Sequence, residues 1–165
     1  MPRNRVIRWI VTGGLIAGAC DITYAVVFSG FRGVPPMRLL QSVASGLLGA
    51  SAFDGGWPTA VLGLGLHFLI ALTFAVAFYW ASRAFPGLVR HAVACGIGYG
   101  FFIYWLMNLA VLPLAAFPRK VTFVPIVVAT GLIVHMFLIG LPIALAIRRG
   151  STPPAPCDGE SLPAQ

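Results

Sequence analysis

An all-α integral membrane protein, with four transmembrane helices and a short re-entrant or interfacial helix, is the fold class this sequence predicts. Three observations carry the prediction. Of 165 residues, 59% are hydrophobic and only 9% charged, against about 25% charged in soluble domains. With a mean hydropathy of +0.92, a globule this small has too much surface to hide its apolar mass. Four apolar runs are each about 20 residues or longer, enough to cross about 30 Å of hydrocarbon at 1.5 Å per residue. The net charge of +7 comes from small basic groups between those runs. That is how loop charges orient membrane helices; a nucleic-acid surface would gather them on one face, so no nucleic acid is expected.

The first run, 9–28, follows Arg3, Arg5 and Arg8. "LIAGAC" within it faintly resembles a lipoprotein cleavage box at Cys20, but Ala17 stands where Leu is usual and the apolar run continues past it. A retained helix is expected. The second run, 59–82, opens after Trp57 and Pro58, and proline suits a helix's first turn. The third covers 92–112 and the fourth 123–147, where Pro142 should kink the helix. Trp9, Tyr79 and Trp80 fall at run ends on one side and Trp57 on the other, as interfacial aromatics do. Residues 1–150 form one transmembrane domain in this reading. The Pro-rich segment 151–165 reads as a disordered cytoplasmic tail.

Between the first two runs lies "RLLQSVASGLLGASAF", Arg38 to Phe53. With four spans, Arg3, Arg5, Arg8, Arg83, Arg90, Arg148 and Arg149 share one side, opposite Arg32, Arg38, Arg119 and Lys120. A fifth span here would split the charges almost evenly and leave no favoured orientation. Four spans follow, with both termini cytoplasmic and a short outer-side helix at about 37–52. Ser42, Ser45, Gly46 and Gly49 recur at helical spacing, giving that helix a small-residue face; Leu40, Val43, Leu47 and Leu48 lean the other way.

Asp21, His67 and His135 are ionisable residues well inside the runs, and Asn108 joins them. A carboxylate at the centre of a membrane helix costs about 2.5–3.5 kcal/mol on the insertion scale, so it faces protein or water. Counting inward places Asp21, His67 and Asn108 roughly 10–14 Å below the outer surface, with His135 about one turn deeper. Gly14 and Gly18 share a stripe with Asp21, Gly63 with His67, and Gly131 with His135. Gly96 and Gly100 form another stripe on the third span. Such faces let helices approach closely, and they invite self-association or partner membrane helices.

Three function classes follow. Asp21 and His67 could exchange a proton or bind a solute, as in a small transport or proton-coupled protein. The same cluster could instead be a polar clasp in an accessory or structural subunit. "GLGLH" and "GLIVH", both Gly-x-x-x-His, could mark a duplication or two axial imidazoles for haem, though the depth mismatch and the lack of CxxCH count against haem. No other cofactor is expected. "GIGYG" (96–100) carries the Gly-Tyr-Gly of potassium-channel filters, but within an uninterrupted helix its glycines read as packing contacts. Cys20, Cys95 and Cys157 form no CxxC pair. No catalytic motif appears, and Arg90 with His91 reads as an orientation charge near lipid head groups.

The stretches "LLQSVASGLLGASAF", "LGLGLHFLIA", "GIGYGFFIYWLMNLAVLPL" and "GLPIALAIRR" together resemble a group of small, uncharacterised four-span bacterial inner-membrane proteins. The resemblance covers about residues 10–149. It implies a bacterial plasma-membrane location and no particular activity.

Overall fold

The computed structural model describes residues 3–118 and 123–151. Arg119, Lys120, Cys157 and nearly all of the proposed tail lie outside the described residues.

Four helices are long and apolar enough to cross a membrane: α1 (Arg3–Phe31), α3 (Gly56–Ala84), α5 (Ala92–Leu114) and α6 (Pro125–Ser151). Between α1 and α3 lies α2 (Pro36–Leu48), which ends in a 3₁₀ turn, Gly49–Phe53. A single helical turn, α4 (Gly87–Arg90), joins α3 to α5. All four expected spans and the short helix are therefore present. The 29 residues each of α1 and α3 make them about 43 Å long, enough to continue into the head-group layers.

The helices pack in the order α3, α1, α6, α5. Small residues decide the contacts, as expected where lipid removes the hydrophobic drive for helices to associate. Gly14 of α1 lies beneath Leu72 and Ala75 of α3, and Gly18 beneath Phe68 and Ala71. Gly96 and Gly100 of α5 meet Gly140 and His135 of α6 backbone to backbone. Ala17, Ala75, Phe78, Ile103, Ile143 and Ala144 form the core between them. Leu69, Phe102, Leu109 and Ile133 are exposed on the outward faces, where hydrocarbon would cover them.

Two of the long helices are interrupted. A π turn spans Met107–Val111 in α5 and another spans His135–Gly140 in α6. Each is followed within two residues by a proline, Pro113 or Pro142. A proline ring pushes away the carbonyl four residues earlier and offers that carbonyl no N–H, and a widened turn accommodates both effects. The disruption expected at Pro142 thus takes the form of a π turn, and Pro113 repeats it in α5.

α2 packs mainly on α3. Its contact face is Gln41, Ala44 and Ser45, all buried, while Leu47 and Leu48 are exposed. The buried stripe is therefore offset from the one read from Ser42, Ser45, Gly46 and Gly49. Gln41 fixes the register: its Nε2 donates to the Gly56 carbonyl at 3.1 Å and to Thr59 Oγ1 at 3.3 Å. Gly49 is a breaker rather than a packing residue. It holds φ +66° just after α2, a left-handed conformation that glycine adopts without penalty. Gly63 receives the Leu40 carbonyl so closely that no Cβ would fit. It lies seven residues into α3, about 10 Å from its start, so α2 sits against the flank of the bundle rather than above it.

At the opposite end the start of α1 meets the end of α6. Arg5 Nη2 donates to the Arg149 carbonyl at 3.1 Å, Arg149 stacks over Trp9, and Gly150 abuts the same indole. Arg5, Arg8, Arg83, Arg90, Arg148 and Arg149 belong to this end, and Arg32 and Arg38 to the other.

Candidate functional site

A cavity of about 450 Å³ occupies the half of the bundle beneath α2. α1 contributes Ala17, Gly18 and Asp21 to its wall; α3 contributes His67, Ile70 and Phe74. Ile103 and Met107 of α5 and His135 and Ile139 of α6 close the far side. Ser42, Val43, Gly46 and Leu47 of α2 form the roof with Ala115 and Phe117, and the Ala116 N–H donates to the Gly46 carbonyl at 2.9 Å. The roof is thus tied to both α3 and the end of α5.

Three of the four polar residues singled out in the sequence line this one cavity. His67 crosses from α3 to α1. Its Nε2 lies 2.9 Å from the Gly18 carbonyl, which can only accept, so this nitrogen carries the proton. Asp21 Oδ2 lies 4.0 Å from the same nitrogen, too far for a hydrogen bond but close enough for Coulomb attraction whenever the ring is charged. Both side chains are partly buried, 14% exposed for His67 and 22% for Asp21. His135 Nδ1 donates to the Gly131 carbonyl one turn back at 2.9 Å, and the ring meets Tyr104 edge to face at 5.2 Å. Gly131 is required there because a Cβ would strike the Tyr104 ring.

Asn108 does not join the other three. Its Nδ2 donates to the Tyr104 carbonyl of its own helix at 2.8 Å, and it is not part of the cavity wall. Asn108 lies about 100° around α5 from the Gly96–Gly100 stripe, and the π turn of α5 does not remove that offset. Ser42 and Gly46, both from the small-residue face read in α2, also line the cavity, and Ser42 Oγ donates to the Leu39 carbonyl at 2.6 Å.

For the haem reading, His135 directs Nδ1 to a backbone carbonyl and leaves Nε2 as its acceptor, whereas His67 gives its Nε2 to the Gly18 carbonyl, so an axial role for His67 would need that bond broken or ligation through Nδ1. Among the described residues no group of three or more His, Cys, Asp or Glu side chains is placed to hold a metal ion. Cys20 and Cys95 are free thiols.

What the arrangement offers chemically is one carboxylate and two imidazoles around an otherwise apolar space. Comparison with protein-family models, with curated proteins and with solved structures finds no match. The site must therefore be interpreted from its own geometry.

Proposed function

We propose that this chain is a small transport or proton-coupled protein of a bacterial inner membrane, with both termini cytoplasmic. In this reading the cavity beneath α2 binds a small solute and Asp21 with His67 exchanges a proton beside it. One observation carries the proposal: ionisable side chains from α1, α3 and α6 converge on one cavity of about 450 Å³, within the range of small-molecule sites. Ionisable groups inside a bilayer that face a cavity mark solute or proton pathways. The arginines gathered at the end where α1 begins and α6 ends support the orientation. The location rests on the resemblance to small four-span bacterial inner-membrane proteins. Membrane lipids, and further copies through the small-residue faces, are the partners this reading implies.

Proteoliposomes with a trapped pH-sensitive dye test it under an imposed potassium diffusion potential. The intact chain is expected to pass protons, and Asp21→Asn and His67→Ala to abolish the flux without lowering the melting temperature to the same degree. A second reading has its own observation. The His67 hydrogen bond to the Gly18 carbonyl joins α3 to α1, as a purely structural clasp would. Absence of flux in the intact chain, with both substitutions acting only on stability, would establish the clasp and refute the transport reading.

A further inference from the structure

The cavity's polar groups share one property. The two imidazoles have given their N–H to carbonyls, His67 Nε2 to Gly18 and His135 Nδ1 to Gly131. In a neutral imidazole the second nitrogen is an acceptor. Ser42 has given its hydroxyl proton to the Leu39 carbonyl and keeps acceptor capacity. Asp21, when ionised, is an acceptor only. Its nearest partner is the His67 nitrogen at 4.0 Å, beyond hydrogen-bond reach. Among the described residues the wall contains no Lys or Arg, and Asp21 is its single acid. The space is thus electronegative and short of donors.

The remaining lining is apolar, and one side of it is loosely closed. α3 and α5 meet through Tyr99, whose hydroxyl donates to the Phe74 carbonyl at 2.8 Å and whose ring lies 4.9 Å from that of Phe78. This contact is the floor. Above it Leu66 and Ile70 face Met107 and Val111 across the cavity, and the two backbones stay apart. With the bundle in a bilayer, a gap between α3 and α5 would open toward hydrocarbon rather than toward water.

Building on the reading of the cavity as a solute site, we infer that it takes a lipophilic amine: an apolar body with one protonated nitrogen, the ammonium set against Asp21. An ammonium is a pure donor with three N–H groups, the complement of the acceptors around it. A carboxylate ligand would meet Asp21 as a like charge, and an alcohol would bring one donor and no charge. A charge-assisted hydrogen bond is roughly twice as strong as a neutral one, so head-group charge should dominate selectivity.

Native mass spectrometry of the full chain in a maltoside detergent tests this with three probes of equal chain length: dodecylamine, dodecanol and dodecanoate. Dodecylamine should half-saturate at a concentration about tenfold lower than either of the others. Asp21→Asn should remove that advantage, and Asn108→Leu, outside the cavity, should keep it. Equal binding of the three probes, or an amine preference unchanged by Asp21→Asn, would overturn the assignment. If Asp21→Asn fails to fold, the three-probe comparison on the intact chain decides alone. Selective amine binding without proton flux would retain the ligand class and defeat the transport reading. Flux without head-group selectivity would do the reverse.

Discussion

Gly100→Ala is the perturbation whose cost can be worked most directly. Gly100 lies where α5 crosses α6 at the start of the π turn. A Cβ there would stand 2.5 Å from the His135 carbonyl carbon and from Met136 Cα, and would strike the His135 carbonyl oxygen. Ordinary contact begins near 3.4 Å, and the obstacles are backbone atoms that cannot rotate away. The helices must separate by about 1 Å, a gap that forfeits a quarter to a half of each dispersion contact along the seam. Overpacking of this kind costs about 1–3 kcal/mol, and a backbone obstacle puts it at the upper end. Gly98, two residues earlier, is the control. A Cβ there meets nothing within 4 Å, so Gly98→Ala should gain helix propensity, up to about 1 kcal/mol. Both variants gain that propensity, so unfolding in a mixed-micelle SDS titration, followed by far-UV circular dichroism, should separate them by the overpacking cost alone, about 1–3 kcal/mol. Equal stability of Gly100→Ala and Gly98→Ala would refute the packing argument. It would also remove the basis for placing His135 at the cavity wall, since the same crossing sets that turn.

Other predictions follow from the same geometry. Gly63→Ala should force the Leu40 carbonyl away and loosen α2, seen as faster hydrogen exchange over 36–48 while α5 and α6 stay protected. His67→Ala removes the bond to Gly18 and should cost about 0.6–1.7 kcal/mol, the range for interhelical hydrogen bonds in membranes, measured in the same titration. Asn108→Leu should leave proton flux intact, because Asn108 bonds only within its own helix. Reporters fused to either terminus should be accessible from the cytoplasm, checked by paired phosphatase and fluorescent-protein fusions.

Much of this architecture is legible in the sequence because a bilayer simplifies the problem. Backbone groups in hydrocarbon must bond internally, so long apolar runs have to be helices, and the spans lie within a few residues of those read from Trp9, Thr59, Ala92 and Phe123. The convergence of Asp21 and His67 was readable from equal depth and from the Gly18 and Gly63 stripes. His135, counted one turn deeper, starts a π turn level with Gly100 and Tyr104, one turn below Asn108 on α5, and still reaches the cavity wall. That turn had a signal in Pro142, and the matching one in Pro113 went unread. The α2 face was read in part. Ser45 is buried and Gly46 meets the end of α5 backbone to backbone, as its small residues suggested, but Gln41, satisfied by Gly56 and Thr59, lies buried with Ser45. A polar side chain with local backbone partners looks exposed in sequence and is not. Gly49 was counted among packing glycines because sequence spacing does not reveal backbone handedness.

The central claim is that Asp21, His67 and His135 face one cavity with each imidazole held by a backbone carbonyl. Nitrogen-15 NMR of histidine-labelled protein tests it most directly, because the chain has only three histidines and single His→Gln substitutions assign them. At a pH where the rings are neutral, His67 should show the proton on Nε2 and His135 on Nδ1, and the His67 signals should move in Asp21→Asn. Finding His67 protonated on Nδ1, or its signals indifferent to Asp21→Asn, would contradict the account.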